Sequence, residues 1–456
     1  MKRKKLVALS LLVAVMTASL AGCGSSSSGT SSGSTSSGSA SSGSSSQSSS
    51  SEASGESETT ITYMTNTDFI STLEPIVEKY YEETGVKVVL EGYTTTDIQD
   101  VIEVKISSGT TDYDVLAVDV PLVSAYVNRG YLAPMDEYFT DEERAQLTDA
   151  SVKSGSVDGV FYAPPMNTSS MCMYYNTALL EQAGVEIRDD VSPENRLTWD
   201  EVIDLAKQTL SVVNPDGNSG IYGIEFRQVS RVYQMNPIVN SLGGLNIGED
   251  GFTVDGVLNS DEWIEGMAWY QNLVNEGIAS RGVAADELRT MFAAGRVVFM
   301  IDTTSLDAYC GNNGMETWDV MPVPTFEGHE SDVATGTGSW NFGINYASEN
   351  KDAAADFIKW MSIGEGADLW YAGYNQLPTK VSLLESIQDD ASAAESLKIA
   401  AYEAQNTAVS RALTPAFSEY QTIMNAAWED VRNGEEVEAT LNSAIEQINL
   451  AMEAYK

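Results

Sequence analysis

The tightest constraint on the fold lies in residues 60–118, where strand-like and helix-like patterns alternate. Thr60-Ile-Thr-Tyr-Met-Thr65 reads as a strand. Leu73, Ile76, Val77 and Tyr80 then recur at helical spacing, with Pro75 in the first turns and Gly85 as the stop. Val86-Lys-Val-Val-Leu90 is a second strand, Ile98, Val101, Ile102 and Ile106 mark a second helix, and Tyr113-Asp-Val-Leu-Ala-Val118 is a third strand. Parallel strands need long crossovers, usually helical, so this order predicts a parallel, doubly wound α/β layer. Ligands of such sheets sit beyond the carboxyl ends of the strands. Residues 66–69 and Asp119-Val-Pro121 occupy those positions.

Downstream the pattern is mixed. Ser170-Met-Cys-Met-Tyr-Tyr175 reads as a strand, and Thr198-Trp-Asp-Glu201 is a capping box opening a helix to Leu210. Helices are expected over 261–276 and over 286–294, the latter stopped by Gly295. Strands are expected over 296–301, ending at Asp302, and over 342–345. The last third reads as helices over 353–361, 396–406, 418–433 and 439–454.

The amino-terminal segment sets the location. Lys2-Arg3-Lys4-Lys5, an apolar run from Leu6 to Met16 and then Leu20-Ala21-Gly22-Cys23 form a secretory signal. A Cys directly after Leu-Ala-Gly resembles a bacterial lipoprotein signal. That resemblance implies cleavage after residue 22, diacylation of Cys23 and retention on the outer face of the cytoplasmic membrane. Residues 23–58 are then the lipidated Cys and a Ser/Gly tether. No later stretch reaches ~18 apolar residues, so lipid is the only expected membrane attachment. The roughly 400 residues beyond the tether suit two domains.

Charge and cysteines narrow the chemistry. The chain has 25 Lys+Arg against 66 Asp+Glu, a net charge of −41, and loss of Lys2, Arg3, Lys4 and Lys5 takes it to −45. Nucleic acid is disfavoured as a partner, since its binding depends on neutralised phosphates. An anionic ligand is disfavoured too, unless a local basic pocket overrides the global field. With Cys23 lipidated, one Cys172–Cys310 disulfide is arithmetically possible, although both lie in apolar runs where a free thiol packs as a small hydrophobe. His329 is the only histidine and no Cys-x-x-Cys occurs, which excludes zinc sites and His-based triads. Asn214-Pro-Asp-Gly-Asn-Ser-Gly220 with Glu225 mimics a calcium loop, but Ser219 stands at the usual Gly position and a turn is the better reading. No metal and no cofactor are expected.

Several segments together resemble the family 1 extracellular solute-binding proteins, the lipid-tethered receptors of carbohydrate ABC importers. They are Tyr81-Glu-Glu-Thr-Gly85, Tyr113-Asp-Val-Leu-Ala-Val-Asp119, Asn128-Arg-Gly-Tyr-Leu-Ala-Pro-Met-Asp136 and Gly159-Val-Phe-Tyr-Ala-Pro164. Met173-Tyr-Tyr-Asn176, Leu197-Thr-Trp-Asp-Glu201, Phe292-Ala-Ala-Gly-Arg296, Phe299-Met-Ile-Asp302, Ala353-Ala-Ala-Asp-Phe-Ile-Lys359 and Pro378-Thr379 follow in the family's order. The resemblance implies a two-lobed, periplasmic-binding-protein-like α/β fold with a hinge and an inter-lobe ligand cleft. Lobe one would be 59–164 plus 303–343, and lobe two 168–301 plus 347–456. The hinge would fall near 165–167, 302–305 and 343–346. The family often places an aromatic two or three residues after the acid at Asp119, where this chain has Val120-Pro121-Leu122.

The implied function is to bind a neutral di- or oligosaccharide by lobe closure and deliver it to permease subunits, as a monomer and without catalysis. Sugars offer hydroxyls, which suit Asp and Asn, and C–H faces, which suit flat aromatics. The candidates are Asn66, Asp68, Asp119, Asn167 and Asp302, with Tyr233, Trp340, Tyr371 and Tyr374 as stacking platforms. Trp199, Trp263, Trp318, Trp360 and Trp428 read as structural. Arg227, Arg231 and Arg411 are able to donate to ligand oxygens, but in so acidic a chain pairing with surface carboxylates is the better reading. Two alternatives stay open: a receptor for a polyol or peptide, and a surface glycoside hydrolase using paired carboxylates.

Overall fold

A computed structural model describes residues 59–374 and 376–456. The signal, Cys23 and the tether lie outside the described residues. The fold is two α/β lobes, each built on a four-stranded sheet. The first sheet uses β1 (Thr60–Asn66), β2 (Lys87–Tyr93) and β3 (Val115–Asp119). The second uses β4 (Met171–Asn176), β5 (Tyr222–Phe226), β6 (Val297–Thr303) and β7 (Trp318–Met321). β8 (Trp340–Ile344) returns to the first sheet, giving the orders β8-β3-β1-β2 and β5-β6-β4-β7.

β1, β2 and β3 are parallel, joined by the helices Ile70–Thr84 and Asp97–Lys105, as the alternation requires. Gly85 ends the first helix in the left-handed conformation, φ 73°, which a side chain disfavours. β8 runs antiparallel to β3 and sets Trp340 opposite Asp119. In the second sheet β5 and β6 are parallel, β4 runs against β6, and β7 runs against β4 and so in the direction of β5 and β6. β4 and β6 are apolar and buried almost throughout because helices cover both faces of the sheet. Phe226 packs on Trp199 and Tyr270 from two of those helices, and Tyr270 in turn on Trp428.

The path between lobes differs from the expected one. The chain does not leave the second sheet at 302–305: helix Ser305–Asn312 follows β6, and β7 then pairs with β4 at Met173–Met321. Nor does it cross at 343–346, because β8 lies inside the first sheet. Helices Lys351–Ile363 and Glu365–Tyr374 also stay there. Phe357 meets the Tyr63 and Phe342 rings, and Trp370 meets Phe69. These allotments depend on which faces find partners, and a local pattern does not encode that.

Cys172 and Cys310 are buried free thiols. In the loop at 214–220, Asn214 Oδ1 and Asp216 Oδ1 accept backbone amides of their own turn. Glu225 Oε1 accepts from Ser280 N, 2.7 Å, in the interior. Among the described residues no helix is long and apolar enough to cross a membrane.

Candidate functional site

The carboxyl ends of β1 and β3 and the amino end of β8 bring Asn66, Asp119 and Trp340 to one edge of the first sheet. The carboxyl ends of β5 and β6 and the amino end of β4 bring Phe226, Thr303 and Met171 to one edge of the second. The two edges meet through Arg411, whose Nη2 lies 3.4 Å from Asp119 Oδ1. Its guanidinium also lies over the Tyr233 ring, 5.6 Å from the centroid. Tyr233 opens onto Ser169, hydroxyl to hydroxyl 2.8 Å, just before β4.

The glycine-rich run before Trp340 serves this meeting. A Cβ on Gly338 would stand 3.0 Å from Arg411 Nη2 and 3.3 Å from the Tyr233 ring. One on Gly336 would strike the Tyr233 carbonyl oxygen. These glycines permit close approach of backbone to side chains, a use the sequence alone left without a role. Ser339 follows at φ 101°, a strained value for a residue with a side chain, and its carbonyl accepts from Val120 N, 3.1 Å. Strain of this kind persists only where surrounding contacts impose it.

An aromatic wall completes the first-lobe side. Trp340 is half-buried and meets Phe69 edge-on at 5.9 Å, and Phe69 meets Tyr374 at 5.1 Å. Tyr374 stacks on Trp370 at 4.7 Å. Tyr371 shares that helix; burial and the Asp390 charge raise its hydroxyl above the usual value. Asp68 stays exposed near the Tyr374 hydroxyl, whose pKa burial and the Asp68 charge raise. A cavity of about 540 Å³, within the range of small-molecule sites, runs from Tyr374 and Gln376 across to Ser170 and Thr303.

Two candidates are spent on structure. Asn66 is 2 % exposed; its Oδ1 caps the turn at Asp68 N, 2.9 Å, and its Nδ2 donates to Thr95, 2.6 Å. Asp302 is fully buried, with both oxygens held by Arg289 at 2.7 Å, so it anchors that arginine instead of facing a sugar. Asn167 donates to Gln376 across the first crossover, while its Oδ1 is buried without a partner. Asp119 sits partly buried; burial raises its carboxyl, opposed by the Arg411 charge.

Two neighbours of the candidate residues escaped sequence reasoning, Ser169 and Gln376. Arg411 was expected on a surface carboxylate, yet its partner is the candidate acid of the opposite lobe. Arg227 and Arg231 were expected on surface carboxylates as well, and neither forms an ion pair with the described residues. Trp199, Trp263 and Trp428 are buried in the core, while Trp318 is anchored on Asp307 and Trp360 on the Tyr80 ring. No group of three His, Cys, Asp or Glu among the described residues could hold a metal ion.

A sequence profile of the bacterial extracellular solute-binding protein family matches residues 65–362. A putative binding protein of Brucella abortus is 25 % identical over 199 residues, covering 43 % of this chain and 45 % of the relative. The sn-glycerol-3-phosphate-binding periplasmic protein of Agrobacterium fabrum is 23 % identical, covering 53 % and 52 %. The chain thus spans about half the length of these curated relatives. A cyclo/maltodextrin-binding protein solved with maltotetraose superposes with a TM-score of 0.74 at 19 % identity, covering 88 % of this chain and 99 % of that one.

Proposed function

The chain belongs to the bacterial extracellular solute-binding protein family, and we propose that it is the saccharide receptor of an ABC importer. A di- or oligosaccharide enters between lobe one, about 60–161 with 340–374, and lobe two, about 171–321 with 381–456. The observation that carries this reading is the joint edge where Arg411 links Asp119 of one lobe to the Tyr233 ring of the other, with half-buried Trp340 in register opposite Asp119. Carboxylate, guanidinium and phenol answer hydroxyls, and the indole answers a C–H face. The maltotetraose complex of a protein with the same fold supports a sugar over other solutes.

Binding shifts the population toward a closed form that the permease recognises, limited by the ligand's differential affinity for the two forms. Asp68, Asp119, Asn167, Tyr233, Trp340, Tyr371 and Tyr374 are the proposed contacts, with Arg411 added. Diacylated Cys23 and the tether hold the monomer on the outer face of the membrane. It acts as a receptor and not as an enzyme. A polyol phosphate is the second reading, favoured by the named ligand of the Agrobacterium relative.

Thermal unfolding of the full chain against mono-, di- and oligosaccharides, glycerol 3-phosphate and peptides tests the proposal. A cognate ligand at ~100 times its dissociation constant stabilises by about 2.7 kcal/mol. A shift with one saccharide class, the sugar being recovered unaltered, is the expected result. A shift with glycerol 3-phosphate or peptide alone, or consumption of the sugar, would overturn it.

A further inference from the structure

Gln376 lies between helices Glu365–Tyr374 and Val381–Asp389. The carbonyl of its neighbour Leu377 accepts from Thr168 N, 2.8 Å, which pins this segment to the first crossover. Asn167 on that crossover is 1 % exposed; its Nδ2 donates to Gln376 Oε1, and its Oδ1 is buried without a partner. Burial fixes which way round the two amides stand. Turned over, Asn167 would bury N–H groups without an acceptor, and orphaned N–H groups are rarer in folded proteins than orphaned oxygens. Gln376 Oε1 is therefore taken. Its Nε2 has no partner among the described residues and is left as a donor on the cavity of about 540 Å³ that the exposed Gln376 lines.

Most other polar groups on this cavity are committed. Thr168 Oγ1 bonds Thr337 Oγ1, 2.7 Å, Ser169 bonds Tyr233, 2.8 Å, and Ser170 donates to Thr335, 3.1 Å. Thr303 and Ser305 bond one another, 2.8 Å. The carboxylate on the cavity, Asp307, accepts from Trp318 Nε1 at 2.9 Å through one oxygen and from Ser396 through the other. Thr304 and Tyr374 keep hydroxyls that donate or accept, whereas the Gln376 NH2 group only donates. A sugar hydroxyl that accepted from it would still need an acceptor for its own proton, and a buried donor left unpaired costs free energy. An oxygen without a hydrogen has no such remainder.

We propose that Gln376 is a specificity-determining residue of the cleft, a donor whose polarity Asn167 fixes, and that it reads a ligand oxygen carrying no hydrogen. This rests on the saccharide reading above and narrows it. Saccharides offer such an oxygen in two forms, the carbonyl of an acetamido group and the ether oxygens of the ring and glycosidic bond. The cavity favours the acetamido group. Ala308, Leu397 and Ala400, from helices Ser305–Asn312 and Glu395–Asn406, line it as well, so the methyl group finds apolar surface and needs no hydrogen bond. Asn167 acts here as the positioning residue of Gln376.

The test is calorimetric titration of the full chain with paired ligands, N-acetyllactosamine against lactose and N,N′-diacetylchitobiose against cellobiose, with maltotriose added. The expected result is about ten-fold tighter binding of an acetamido sugar than of its parent. Gln376→Glu keeps the acceptor for Asn167 but removes the donor, and should bring that ratio close to one. Asn167→Asp should do the same with Gln376 intact, because the Gln376 nitrogen then turns to the carboxylate and its oxygen to the cavity; a merely structural loss would weaken both members of a pair alike. Gln376 is exposed, so Gln376→Glu keeps the fold and decides the matter by itself if Asn167→Asp does not fold. Parent sugars that bind as tightly as their acetamido partners, and lose about ten-fold in Gln376→Glu, would assign the oxygen to the ring or glycosidic bond and uphold the donor. A ratio and affinities unchanged in Gln376→Glu would overturn the inference and leave the saccharide reading standing. Binding of none of the five sugars would remove the saccharide reading, and this inference with it.

Discussion

Glu225→Gln should flatten the pH dependence of stability. Glu225 lies in β5 at 1 % exposure, and its Oε1 accepts from Ser280 N, 2.7 Å. Burial pushes its carboxyl from 4.5 up to about 7, partly opposed by the Ser280 hydrogen bonds and the Arg432 charge. Arg432 donates to the Ser280 and Val283 carbonyl oxygens, and the Tyr270 phenol is the other titratable group feeling this acid. The folded state therefore favours the protonated acid. The benefit is complete below the unfolded value of 4.5 and is lost as pH rises to about 7. At about 1.4 kcal/mol per pH unit, the gap amounts to about 3 kcal/mol. Glutamine keeps the acceptor for Ser280 and cannot ionise. Urea unfolding from pH 4.5 to 8.5 should show the variant gaining on the parent by about 3 kcal/mol across that range. Parallel curves would refute the reasoning, because they would mean that Glu225 titrates alike in both states.

Glu403→Gln should lower stability by about 3–5 kcal/mol, read as a fall in melting temperature, because it strips a buried guanidinium of its partner. Glu403 is fully buried and holds Arg196 through 2.6 and 2.9 Å contacts. Arg411→Gln removes the 3.4 Å pair between lobes; the pair is partly exposed and is worth about 1 kcal/mol at most. The open population should rise about five-fold at most, visible as a larger radius of gyration in solution scattering without ligand, and an unchanged radius would refute a contribution of this pair to closure. Burial raises the Cys310 thiol to about 12 and holds the Cys172 thiol well above its usual value, so a thiol reagent should label both only after unfolding. Trp340→Ala should weaken saccharide binding by about 1 kcal/mol and abolish any ligand-induced fluorescence change that arises from this ring.

The sequence by itself determined the local elements of this protein. The strand at 60–65, its helix stopped by Gly85, and the strand ending at Asp119 follow from side-chain period and from one left-handed glycine, and they lie where expected. Those features are read within about 15 residues, so they do not depend on what packs against them. The position of Asp119 beyond a strand end is legible for the same reason.

Tertiary structure decided the rest. Trp340 stands opposite Asp119 only because β8 adds antiparallel to β3. Arg411 reaches Asp119 from 292 residues away. Asp302 and Asp68 look alike as acids beyond strands, yet one is consumed by Arg289 and the other is left exposed. Whether a polar group is spent or available depends on neighbours brought in by long-range packing, and no local pattern carries that information.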